Sequence, residues 1–174
     1  LKIVIIGSSG ALGHSFVDLL SQYENVDEII GFSRSENTID NPKFKHHSID
    51  VCDSDSIEQA ANQLDSFNLL IVSSGILHEN NLLPEKRVND LDKAQLMHYF
   101  EVNTIGPALI GKYFMPKMDH HGKSVMAFLS AKVGSISDNG LGGWYGYRAS
   151  KAALNMIVRN FAIEVNRMHP DPII

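Results

Sequence analysis

"KIVIIGSSGALGHSF", residues 2–16, passes from one kind of local order to another without a linker. Lys2 to Ile6 reads as a strand, and from Ile3 on it is apolar without alternation, the pattern of burial on both faces. Glycines at 7, 10 and 13 then punctuate a turn of small residues, and the stretch through "HSFVDLLSQY" has helical spacing. A glycine backbone turns tightly and lets an anion approach the start of a helix, where free N–H groups and the helix dipole favour phosphate. Gly7, Ser9, Gly10, Ala11, Leu12 and Gly13 are therefore candidates for a pyrophosphate cradle. Such turns also serve only to join strand to helix, so the place at the first strand–helix junction carries the reading, not the glycines alone.

The alternation continues outward from this stretch. "DEIIGF" (27–32) reads as a second strand and "FKHHSID" (44–50) as a third. Asp55 and Glu58 have capping-box spacing for a helix through "SIEQAANQL". "NLLIVSSG" (68–75) is a fourth strand running into a small-residue turn, and "SVMAFLS" (124–130) a fifth. Between them lies a long helical region from about 91 to 118, expected to bend near Pro107. After the glycine-rich "SDNGLGGW" a last helix runs to about Met168. The pattern predicts an α/β fold: one domain over 1–174, a doubly wound parallel sheet in a Rossmann-type three-layer sandwich. Ligands of such sheets bind beyond the carboxyl ends of the strands, where Gly7, Ser73 and Ser130 fall.

Composition excludes several function classes. The chain of 174 residues is 44% hydrophobic with a net charge of −5 and no basic stripe, which argues against nucleic acid. One cysteine, Cys52, rules out an internal disulfide framework. The first apolar run is too short for a signal core or a membrane span, so a cytoplasmic location without membrane attachment is expected. His46-His47 and His120-His121 are adjacent pairs rather than the i, i+4 pair of a helix-borne zinc site, and no metal is expected.

About 20 residues past the glycines, a dinucleotide with a free ribose 2′-hydroxyl usually meets an acid. This chain has "GFSRS" there, and the fork of Arg34 beside Ser33 suits a 2′-phosphate, favouring NADP(H) over NAD(H). Glu36 stands close enough to take the other role. In "YGYRASKAAL" (145–154), Tyr147 and Lys151 are four apart and so neighbours on a helix. An ammonium about 4 Å from a phenol is worth about 4 kcal/mol at an effective dielectric of about 20, or about three pKa units. The same spacing joins Tyr113 to Lys117, with Pro116 between them, so spacing alone does not separate chemistry from a shared helix face.

With the glycines, the sheet pattern and this pair together, the chain resembles the short-chain dehydrogenase/reductase family over nearly its whole length. Its C-factor-like and carbonyl-reductase-like branch is the nearest match, on "LSAKVGSISDNGLGGWYGYRASKAALNM". "DVCD" (50–53) looks like the family's adenine pocket, with Asp50 accepting from the adenine amino group and Val51 contributing backbone. "SSG" (Ser73, Ser74, Gly75) stands where the family has Asn-Asn-Ala-Gly, and "NTIG" (103–106) matches Asn-x-x-Gly. The resemblance implies hydride transfer between a nicotinamide and a carbonyl or secondary alcohol. Tyr147 would be the acid/base, Lys151 would lower its pKa and hold the ribose, Ser130 would polarise the carbonyl, and Asn103 would hold a relay water. Leu141, Trp144 and Tyr145 are expected to border the substrate. Aligning by the strand selects Ser130; aligning by Gly134 selects Ala131, with Ser135 a third candidate. The resemblance also implies a homodimer through the helices at 91–118 and 147–168.

Two alternatives share the fold: a cofactor sensor or signalling protein without turnover, and an extended-type epimerase or dehydratase, suggested by the 7-10-13 glycine spacing. The chain starts at Leu1 and ends "HPDPII" where a sixth strand should begin, so a further C-terminal segment is expected.

Overall fold

Five short strands form the sheet: β1 (Lys2–Ile6), β2 (Glu28–Ser33), β3 (Phe44–Ser48), β4 (Leu69–Val72) and β5 (Val125–Phe128). The computed structural model describes residues 1–36, 39–79, 83–119, 121–168 and 172–174. The strands are all parallel, in the order β3-β2-β1-β4-β5. From β1 the chain works outward through β2 to β3, then returns to the other side of β1 as β4. That reversal leaves a crevice beyond the ends of β1 and β4, the place where doubly wound sheets take ligands.

Strand β1 shows why its sequence does not alternate. Val4 and Ile6 pack with Ile57 and Ala61 on one face of the sheet, beside Ile110 and Phe114. Ile3 and Ile5 face the other side with Val17 and Val26. A strand covered on both faces has no solvent side for polar residues. The covering helices are α1 (Ala11–Leu20), α2 (Ser54–Asn62), α3 (Lys93–Phe100), α4 (Gly106–Phe114) and α5 (Tyr145–Met168). None of the helices among the described residues is long and apolar enough to cross a membrane.

Some expected boundaries shift. The cap of α2 is Asp53, not Asp55: its extended backbone leaves the carboxylate free to accept from Asp55 N at 3.0 Å. The helical region at 91–118 is not one bent helix. α3 and α4 are separated by a π turn over Glu101–Ile105, and a 3₁₀ turn follows at Met115–Lys117. The distortion falls one turn before Pro107 because proline has no N–H to give and its ring crowds the carbonyl four residues back. Ile173 pairs singly with Val125 beside β5, where a sixth strand was anticipated. His120 and the stretch 169–171 lie outside the described residues.

Candidate active site

The turn after β1 is held by backbone: Gly7 N donates to Phe32 O at 2.7 Å and Gly10 N to Gly7 O at 3.1 Å. Gly7 has φ +87°, and a Cβ there would lie 2.9 Å from Ser74 N. Gly13 faces the Gly7 carbonyl so closely that it too has no room for a side chain. Gly10 caps α1 without a side-chain hydrogen bond, and no acid stands in the first turn. The amides at the start of α1 are thus left without side-chain partners among the described residues, beside a cavity of about 220 Å³. Gly7, Ser9, Gly10, Ser33, Arg34, Asp50, Val51, Ser73, Ser74 and Gly75 all line it. This chemistry fits the phosphates and adenosine of a dinucleotide.

The details of that lining were not legible. Ser33 Oγ donates to Ser35 O at 2.8 Å and lies 2.9 Å from His46 Nε2. Arg34 pairs with Glu79 at 3.5 Å, and Glu79 also faces His98 Nε2 at 3.4 Å, so an acid and a histidine join the wall. Asp50 accepts from Cys52 N through one carboxylate oxygen. Ser73, in the place of an asparagine, pins the turn after β4 by donating to Ile6 O at 2.8 Å.

A second cavity, also about 220 Å³, opens from the same Ser73–Gly75 turn. Leu12, Ser130, Tyr147 and Lys151 line it, while Ala11 is the first residue of α1 and lines neither cavity. Tyr147 and Lys151 share a face of α5, as their spacing requires. Lys151 is 4% exposed, and its Nζ donates to Leu129 O at 3.0 Å. Burial pushes the Tyr147 phenol above its ordinary range and the Lys151 ammonium below its own. Desolvation is the cause on both groups, and the ammonium is turned to the Leu129 carbonyl.

Asn103 is fully buried in the π turn. Its Oδ1 accepts from Ile76 N at 2.8 Å, and its Nδ2 donates to Ile76 O at 2.9 Å and Ser150 Oγ at 3.2 Å. Both Nδ2 protons and one lone pair of Oδ1 are spent on bracing the turn after Gly75, which leaves the second Oδ1 lone pair as the side chain's remaining acceptor. Ser135 lies apart from Tyr147: its hydroxyl meets Ser137 at 3.3 Å, and it lines a different cavity of about 440 Å³ with Tyr145 and Arg148. Trp144 and Tyr99 flank the Tyr147 ring, each at 6.3 Å between centroids. Leu141 is 94% exposed and touches none of these walls, a correction to its expected place by the substrate. Tyr113, of the second tyrosine–lysine pair, instead accepts from Lys112 Nζ at 3.1 Å, because Lys117 has already left the helix.

Comparison with known proteins agrees with this fold. The sequence model described as short chain dehydrogenase matches residues 2–169. Benzil reductase ((S)-benzoin forming) of Bacillus subtilis (strain 168) is 27% identical over 168 residues, 92% of this chain and 66% of that protein. The C-signal protein of Myxococcus xanthus is 33% identical over 78 residues, 45% of this chain and 47% of that protein. This chain thus spans between 47% and 66% of the length of those relatives. The NADPH-bound carbonyl reductase from chicken fatty liver matches with a TM-score of 0.83 at 23% identity, over 97% of this chain and 72% of that one.

Proposed function

The chain belongs to the short-chain dehydrogenase family, and on that premise we propose that it reduces a carbonyl, or oxidises the matching secondary alcohol, with NADP(H). The observation that carries the reading is the meeting of two cavities at the Ser73–Gly75 turn, one lined by the glycine cradle and Arg34, the other by Tyr147, Lys151 and Ser130. NADPH, when bound, supplies the hydride.

The chain's own residues do the rest. Gly7, Ser9, Gly10 and the first amides of α1 hold the pyrophosphate, Arg34 the 2′-phosphate, and Asp50 with Val51 the adenine. Tyr147 gives its proton to the substrate oxygen as that oxygen gains negative charge, and Ser130 donates to the same atom. The burial that raises the Tyr147 pKa keeps the phenol protonated at neutral pH, which suits a proton donor in the reducing direction. Lys151 places a cation beside the oxygen that gains charge, and Asn103 keeps the neighbouring turn in place.

The test is a fluorescence titration with NADPH and NADH of the chain and of Arg34→Ala, followed by NADPH consumption against aldehydes, ketones and benzil, the last because a relative is named for it. We expect NADPH to bind about tenfold tighter than NADH, with the preference lost in the variant. Equal constants would remove the NADP assignment. Tight binding with no consumption across the panel would turn the reading to a cofactor sensor.

A further inference from the structure

We propose that Glu85 is a positioning residue for Tyr147, reaching across from the loop before α3 to cap the helix that carries it. Its kinetic consequence rests on the oxidoreductase reading above; its geometry does not. α5 starts at Tyr145, and the residue before it, Trp144, has φ 52° and an indole that cannot accept a hydrogen bond from the helix amides. The first N–H groups of a helix lack intrahelical partners, and a capping side chain usually accepts from the second or third of them. Gly146 is the second, and its N–H donates to Glu85 Oε2 at 3.2 Å across 61 residues of sequence. The Glu85 carbonyl accepts from Trp144 N as well. One residue therefore fixes the backbone on both sides of Tyr145, immediately before Tyr147. A carboxylate there also complements the helix dipole.

The fit is tight. Glu85 is 2% exposed. A Cβ on Gly146 would stand 2.5 Å from Tyr99 Cδ2 and 3.0 Å from Glu85 Oε1, so only glycine lets the carboxylate reach this amide. Tyr99 in turn packs on the Tyr147 ring and donates to Leu77 O at 2.6 Å. Oε1 has no hydrogen-bond partner among the described residues. A buried carboxylate oxygen left without a partner is destabilising, so packing alone does not account for a glutamate here. Fixing the first turn of α5 does.

The test compares Glu85→Gln, which keeps an acceptor oxygen, with Glu85→Ala, which removes it. We expect the alanine variant to lose about 10- to 100-fold in kcat with its Kd for NADPH within about twofold, and the glutamine variant to recover most of the loss. Amide exchange at Gly146 should quicken in the alanine variant and not in the glutamine one. Lowered thermal stability with unchanged kcat per folded molecule would overturn the proposal. Should the alanine variant not fold, Glu85→Asp is one methylene short of Gly146 N, and wild-type exchange and turnover in it would overturn the proposal equally. If wild type reduces none of the carbonyls, the exchange measurement still decides the cap, so the two readings fail separately.

Discussion

The helices α1 and α5 both begin after glycine-rich turns, "GSSGALG" and "NGLGGWYG", and their first amides meet opposite fates. At α1 Gly10 brings no side-chain cap and no acid stands in the first turn, so the amides face a cavity. At α5 a carboxylate from the loop before α3 takes the amide of Gly146. An open helix start receives a ligand's anion; a capped one cannot, and is useful instead for holding a side chain still. The glycines differ in purpose accordingly. Gly7 bends the chain with a positive φ, whereas Gly146 makes room for a neighbour.

The comparison breaks if either start can be altered with the other's effect. Tyr147→Phe should have the largest consequence, a loss of about 10³ in kcat with the Kd for NADPH within about twofold, because the phenol lines the cavity away from the phosphate cradle. Turnover within tenfold of wild type would move the proton to another group. Gly7→Ala should act on the other start. Its φ of +87° and the 2.9 Å approach to Ser74 N predict a loss of about 2 kcal/mol in denaturant unfolding, with weaker NADPH binding and unchanged exchange at Gly146. Wild-type stability and affinity in that variant would show that the glycine is a connector only.

The open start was legible in the sequence and the capped one was not. A cradle is local: its glycines, the strand before and the helix after fall within fifteen residues, so the junction can be read from one stretch of sequence. Gly7, Ser9 and Gly10 of the cradle share one wall with Ser33, Arg34, Asp50, Val51 and the Ser73–Gly75 turn. Tyr147 and Lys151 were legible for the same reason, since one helical turn brings them together. Glu85 gave no signal, because in "LLPEKRVND" it stands in a polar run that reads as a solvated loop, and only the fold carries it to α5. The turn at Glu101–Ile105 was half legible: Pro107 announces a distortion, but not that the register widens before it. The burial of Lys151 was not legible, since helical spacing fixes which side chains are neighbours and says nothing of how dry their surroundings are.

That last point gives the smallest expected effect and the sharpest sign. Burial holds the Lys151 pKa below the ordinary lysine value of 10.5, so the unfolded chain takes up its proton more readily than the folded one. The stability tied to this group is present above pH 10.5 and is lost as pH falls through the depressed folded-state value. At neutral pH the ammonium is therefore held at a cost. Lys151→Met should match or exceed wild type at pH 7, by up to about 1 kcal/mol, with the difference shrinking as pH rises toward 10. The measurement must stop there, because the raised Tyr147 pKa adds a loss of stability above pH 10 in both proteins. Turnover should disappear in the same variant. A methionine variant less stable than wild type by a margin that does not change with pH would mean that the hydrogen bond to Leu129 O outweighs desolvation. Lys151 would then be a structural member of α5, and chemistry at this helix would rest on Tyr147 and its capped first turn.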